Sequence, residues 1–176
     1  MKKVLMVFAL VAIIATGTAF ADHPDGFGIG VEGAYGTTWG SWGGYSNAAL
    51  TLKFAGVPIY LGIGADITVS SSEIGFGLMV YGDYYFIDMP IVSNILHWYL
   101  GAGVQATLGF GASGAGAGIK VGVLGRLPIG LSLQIPVSSV TLEFYLAAIP
   151  NIGVTVIPFH FPAGGIGGAA GFRLWF

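Results

Sequence analysis

Ile59-Tyr-Leu-Gly-Ile-Gly-Ala-Asp-Ile-Thr-Val-Ser70 alternates without a break between apolar residues and small or polar ones. Successive side chains of a strand point to opposite faces. Ile59, Leu61, Ile63, Ala65, Ile67 and Val69 therefore share one face, and Tyr60, Gly62, Gly64, Asp66, Thr68 and Ser70 the other. A strand that separates lipid from a lumen carries this pattern. The next stretch repeats it, with Ile74, Phe76, Leu78, Val80, Tyr84 and Phe86 set against Glu73, Gly75, Gly77, Met79, Tyr81, Asp83 and Tyr85. Only Gly82 interrupts the apolar face.

The same parity, followed along the chain, predicts eight strands at 27–35, 47–54, 59–70, 73–86, 96–110, 118–134, 141–149 and 165–176. An even count brings both termini to one end, and closing the sheet leaves no edge whose N–H and C=O groups would face hydrocarbon. The expected fold is an all-β, eight-stranded antiparallel up-and-down transmembrane β-barrel. Proline occurs in each of the links 55–58, 87–95 and 135–140, expected on the periplasmic side with the termini. The links 36–46, 71–72, 112–117 and 150–164 are expected outside. A helical competitor exists at 98–119, an uncharged run with small residues at four-residue spacing, but Trp98, Leu100, Ala102, Val104, Ala106, Leu108 and Phe110 alternate with Tyr99, Gly101, Gly103, Gln105, Thr107 and Gly109 there too.

Composition agrees. Hydrophobic residues make up 55% of the chain and charged ones 8%, against roughly 25% charged in soluble domains. Thirty-one glycines argue against helix bundles, since glycine costs a helix interior about 1 kcal/mol relative to alanine. Residues 1–21 read as a secretory signal peptide: Lys2 and Lys3, an apolar run from Val4 to Ile14, then small residues ending Ala19-Phe20-Ala21, with cleavage before Asp22. The remaining segment, 22–176, is the barrel domain. It has four basic and eight acidic residues, a net charge of −4, with no basic cluster for nucleic acid. The chain has no cysteine, hence no disulfide, thiolate chemistry or lipoprotein anchor.

Charge placement is the strongest internal check on the fold. Glu32, Lys53, Asp66, Asp83, Lys120, Arg126, Glu143 and Arg173 all have the parity of the small or polar face, giving a formally neutral lumen network. Tyr60, Tyr81, Tyr85, Tyr99 and Tyr145 share that face. Counting from the turns places Lys53 opposite Tyr60 and Tyr60 opposite Asp83, and sets Glu143 and Arg173 at similar depth on the last two strands. Two luminal ion pairs are expected, Lys53–Asp83 and Glu143–Arg173. Tyr35, Trp39, Trp42, Tyr45, Trp98 and Trp175 fall near predicted strand ends, where an apolar ring with a polar handle suits the membrane interface.

At the C-terminus Gly168, Ala170, Phe172, Leu174 and Phe176 occupy alternate positions. An apolar final strand ending in an aromatic resembles the signal read by the outer-membrane assembly machinery, here Phe172, Leu174 and Phe176. Together with Arg126-Leu-Pro-Ile-Gly-Leu-Ser-Leu and Thr141-Leu-Glu-Phe-Tyr-Leu-Ala-Ala-Ile-Pro-Asn-Ile-Gly, it makes the C-terminal third resemble small eight-stranded outer-membrane barrels of the broad OmpW/OmpX-like kind. The resemblance implies a Gram-negative-type outer membrane, reached after export across the inner membrane, with outer-membrane lipid and the assembly machinery as partners, and a monomer.

OmpW-like proteins imply a narrow channel or binding barrel for small or apolar solutes. OmpX-like proteins and the membrane domain of OmpA imply a structural barrel with a filled lumen. The first is the expected function, and inward glycines favour it, whereas inward charges and tyrosines favour the second. No enzyme activity, cofactor or metal site is expected: His23, His97 and His160 form no ligand motif. A remote alternative is a lipid-modifying barrel using Ser70, Ser71 or Ser72 with His160 and Glu73, but serine in a tight hairpin is ordinarily turn chemistry. Glycine-rich spacings are not phosphate cradles here, because no helix follows them.

Overall fold

The structure is a computed structural model describing residues 24, 26–38, 44–69, 74–93, 95–111 and 118–176. The expected signal peptide lies outside the described residues. Among the described residues nine strands form: β1 (Gly28–Thr38), β2 (Gly44–Lys53), β3 (Tyr60–Val69), β4 (Ile74–Val92), β5 (Leu96–Gly111), β6 (Gly118–Arg126), β7 (Ile129–Val137), β8 (Val140–Ile157) and β9 (His160–Trp175). Each pairs antiparallel with its neighbours, and β1 pairs with both β2 and β9, so the sheet closes. The ring has eight places because β6 and β7 share one, both lying between β5 and β8.

That shared place is the expected strand 118–134, interrupted at Leu127-Pro128. Proline has no N–H to offer a ladder. The ladder is bridged on both sides of the break: Gly101 N donates to Pro128 O at 2.8 Å, and Leu127 N donates to Pro150 O at 3.0 Å. Parity survives, since Arg126, Pro128, Ser132 and Gln134 are all buried on the same face.

Several boundaries move. The expected link 87–95 is mostly strand, because β4 continues to Val92 through an irregularity between Tyr85 and Ile87. The expected loop 150–164 is a long hairpin with only Pro158-Phe159 at its turn. The link 135–140 shrinks to Ser138-Ser139, where Ser138 has φ 58°. At the β2–β3 turn Gly56 takes φ 72°, a region other residues enter at a cost, and Val57 N donates to Phe54 O at 3.1 Å. The helical reading of 98–119 is replaced by β5 and the start of β6.

The two faces are inverted relative to a soluble domain. Val31, Ile63, Leu78, Val104, Leu146 and Ile166 are exposed on the outside, each by more than half. Glu32, Lys53, Asp83, Arg126, Glu143 and Arg173 are buried inside. The termini and the turns after β2, β4 and β7 mark one end of the barrel, here the terminal end; the connections after β1, β3, β5 and β8 mark the loop end. Phe27 and Phe176 exchange backbone hydrogen bonds of 3.2 and 2.9 Å, which carries closure to the last residue.

Candidate functional site: the barrel interior

An eight-stranded barrel is just wide enough for side chains to fill it or for one small ligand to enter. This interior is filled by side chains in its terminal half and holds a cavity in its loop half. In the terminal half, Glu143 and Arg173 stand directly opposite each other on β8 and β9. Arg173 Nη1 lies 3.2 Å from Glu143 Oε2 and 3.3 Å from Oε1. Ser132 Oγ donates to Oε1 at 2.9 Å and Trp175 Nε1 to Oε2 at 2.8 Å. Glu143 has no solvent exposure, and these donors are what makes a buried carboxylate tolerable. The Arg173 guanidinium sits 4.8 Å from the Tyr60 ring centre and 4.1 Å from that of Tyr145, and its Nε donates to Thr51 Oγ1 at 3.4 Å.

Arg126 is the second node. Its Nε lies 3.1 Å from Asp83 Oδ1, Nη2 lies 3.9 Å from Glu32 Oε1, and Nη1 donates to Gln105 Oε1 at 3.2 Å. Its guanidinium covers the Tyr81 ring at 3.8 Å. Tyr145 Oη donates to Glu32 Oε2 at 3.0 Å and so joins the two nodes. The register places Lys53 opposite Tyr60 and Tyr60 opposite Asp83. The expected Lys53–Asp83 pair is nevertheless replaced: Arg126 takes Asp83, while Lys53 Nζ donates to Phe54 O at 3.1 Å and lies 5.7 Å from the Tyr60 ring centre. The guanidinium of Arg126, a rigid fork of donors reaching from β6, faces both Asp83 and Glu32.

Aromatic rings fill what the charges leave. Tyr60 stacks on Tyr85 at 4.3 Å, Tyr85 on Tyr99 at 4.6 Å, and Trp175 meets Tyr60 edge-on at 6.1 Å. The inward glycines provide the seats. Gly62 lies opposite Tyr81, Gly101 opposite Tyr85, Gly130 opposite Tyr99 and Gly171 opposite Tyr145, and a Cβ at any of these glycines would collide with the facing ring. These glycines make room for the rings that form the plug.

Past the irregularity in β4, Asp88 turns inward and its Oδ1 meets His97 Nδ1 at 3.0 Å, both residues being buried. In the loop half the packing stops and a cavity of about 230 Å³ opens. Asn47, Asp66, Gln105, Thr107, Lys120 and Asn151 are on its wall. Asp66 and Lys120 are thus the two members of the expected charge network that lie outside the plug.

Of the residues expected at the membrane interface, Tyr35 faces outward and is strongly exposed, and Trp98 is half-buried on the outward face. Two expectations are corrected. Trp175 is 2% exposed and points inward to Glu143, having the parity of Arg173. Tyr45 lines the cavity and receives a hydrogen bond from Asn151 Nδ2 at 3.4 Å, having the parity of Asn47. Trp39 and Trp42 lie outside the described residues, as do His23, Ser70, Ser71, Ser72 and Glu73. His160 is exposed at the start of β9, opposite Thr155. Phe172, Leu174 and Phe176 face outward, and Phe172 packs on Phe144 with ring centres 5.1 Å apart. Sequence reasoning missed Asp88, Ser132 and Asn151, although Ser132 has inward parity within the expected strand 118–134 and Asn151 has it once β8 takes its full length.

No protein-family model matches the chain, and no curated protein sequence does. Solved structures do. Neisserial surface protein A is 13% identical over 85% of this chain and 97% of its own, with a TM-score of 0.53. The N-terminal β-barrel domain of Pseudomonas aeruginosa OprF is 13% identical over 83% of this chain and 96% of its own, with a TM-score of 0.51. The fold is that of the small outer-membrane β-barrels.

Proposed function

We propose that this chain is an integral outer-membrane barrel that binds a small polar solute in its loop half and does not conduct it. The observation that carries this reading is the plug: the ion-paired and stacked side chains of Glu143, Arg173, Arg126, Tyr60, Tyr85 and Tyr99 occupy the terminal half, while the cavity is confined to the loop half. The exposed apolar face supports insertion, since a lipid-facing band of such residues is what a bilayer-spanning barrel presents. Of the solutes expected from the sequence, small ones suit the cavity's volume, and Asn47, Asp66, Gln105, Lys120 and Asn151 on its wall offer them polar partners. The C-terminal Phe172, Leu174 and Phe176 serve in this reading as the recognition strand for assembly, after export directed by residues 1–21. The barrel acts as a monomer without enzymatic activity.

The test is conductance of the refolded mature barrel in planar bilayers. Wild type is expected to stay silent across many verified insertions, and a Glu143→Ala/Arg173→Ala double variant that retains the fold is expected to conduct. Steady wild-type conductance would return the function to a narrow channel. The filled structural barrel is the second reading, favoured by the same plug, and differs in predicting no ligand in the cavity.

A further inference from the structure

We propose that the cavity in the loop half is a binding site for small hydrophilic primary amines, with Asp66 as their counter-charge; this rests on the binding reading above and names its ligand class. The plug satisfies its carboxylates with cations, and the cavity wall does not. Asp66 Oδ1 leans over Gly77 and has no hydrogen-bond donor. Its Oδ2 receives only a long contact of 3.4 Å from Thr68 Oγ1. Asn47, its register partner on β2, likewise has an Oδ1 without a donor. Buried acceptors without partners are rare in native proteins and call for one. This part of the wall is short of donors and of positive charge, which an ammonium group supplies together.

No base nearby is paired with Asp66 among the described residues. Arg126 is held by Asp83 and Glu32 in the plug. Lys120 has an interaction of its own, and it closes the same row of hydrogen-bonded positions as Asp66: Asp66 opposite Gly77, Gly77 opposite Gly109, Gly109 opposite Lys120. The Asp66 carboxylate fills the place over Gly77, and Gly109 beyond it carries no side chain, so the row stays open between that carboxylate and Lys120. The cavity of about 230 Å³ corresponds to roughly eight waters at ~30 Å³ each. An amino alcohol or short diamine fits that volume, and a drug-sized molecule does not. Thr38, Thr107, Thr155 and the amides of Gln105 and Asn151 give such a guest hydroxyl and amide partners.

The experiment titrates the refolded barrel in micelles with ethanolamine, ethylene glycol and acetate, reading the side-chain amide signals of Asn47, Gln105 and Asn151 and the backbone signals of 66–68. Ethanolamine is expected to give saturable shifts at least about tenfold tighter than glycol, and Asp66→Asn to weaken it by about tenfold while leaving glycol unchanged. Asn47→Asp, which adds a second carboxylate, is expected to tighten ethanolamine binding. Equal affinity for glycol, tighter binding of acetate, or an Asp66→Asn variant that binds ethanolamine like wild type would overturn the amine assignment and leave the binding reading standing. Silence of these signals to all three probes would overturn both.

Discussion

Tyr81 and Tyr145 have the same parity and comparable burial, yet their hydroxyls play opposite parts. Tyr145 Oη donates to Glu32 at 3.0 Å, whereas Tyr81 Oη has no partner and it is the ring that serves, by covering Arg126. Leaving a buried carboxylate short of a donor costs about 1–3 kcal/mol, while removing an unpaired hydroxyl costs nothing of that kind. Tyr145→Phe is therefore expected to destabilise the barrel by that order and Tyr81→Phe to be neutral or stabilising, both read from urea unfolding in micelles or vesicles. Equal losses in the two variants would contradict the hydrogen-bond assignment. The Glu143–Arg173 pair follows related logic: either residue changed alone strands a buried charge at a cost of about 3–5 kcal/mol, and replacing both with apolar residues of similar volume costs less than either single change. A double-mutant cycle measures this directly, and additive losses would show that the two charges do not act as a pair.

Strands impose a period of two, and a single extra residue reverses it. In β4 Tyr85 pairs with Gly101 and Ile87 with Leu100, which leaves Phe86 without a partner. Such a bulge re-aims the side chains that follow. Here it turns Asp88 inward to His97, whereas unbroken alternation through Phe86 would aim Asp88 outward. Deleting Phe86 removes the extra residue and leaves Ile87 opposite Leu100 and Asp88 opposite Tyr99, so Asp88 is expected to stay inward and the folded, heat-modifiable band in gel electrophoresis to survive. Deleting Phe86 and Ile87 together brings Asp88 opposite Leu100 on the outer face and is expected to abolish the band; an unaltered band in the double deletion would show that register does not position Asp88. The same period separates two adjacent residues upstream. Leu78 is 57% exposed on the outer face and Met79 is 2% exposed inside. Leu78→Arg is expected to cost ~2–4 kcal/mol if that face meets the bilayer midplane. Folding measured in vesicles checks it, and a cost-free arginine would reject the face assignment.

The molecule as a whole is an inside-out domain, with its charges in the middle and its apolar side chains outside. Closing the ring removes every sheet edge, so the outer surface needs no water to satisfy its backbone. The asymmetry between a filled terminal half and an open loop half gives the barrel a direction. If the termini are periplasmic, as expected from the sequence, the cavity faces outward. A short epitope inserted within 112–117 is then expected to be reached by antibody on intact cells, and one inserted at the 93–95 turn only after permeabilisation. The opposite labelling would put the cavity on the periplasmic side and change which solutes reach it.

Alternation is a local property, and the chain determines it alone. That is why the eight-place ring, the inward facing of the charged residues and the direct opposition of Glu143 and Arg173 are all legible in the amino-acid sequence: parity and the distance from a tight turn suffice to count them. Tyr45 and Trp175 are legible by the same rule, since they have the parity of Asn47 and Arg173, and here parity prevails over the pull of a strand end towards the interface. Asp88 is not legible, because a bulge carries no parity signal of its own. Nor is the partner of Asp83. Arg126, Asp83 and Glu32 come from β6, β4 and β1, which are not all neighbours in the ring, and no pairwise register relates them. Their meeting depends on strand tilt and stagger, which bring distant strands to a common depth, and on side chains long enough to cross the lumen. Those quantities exist only once the barrel has closed.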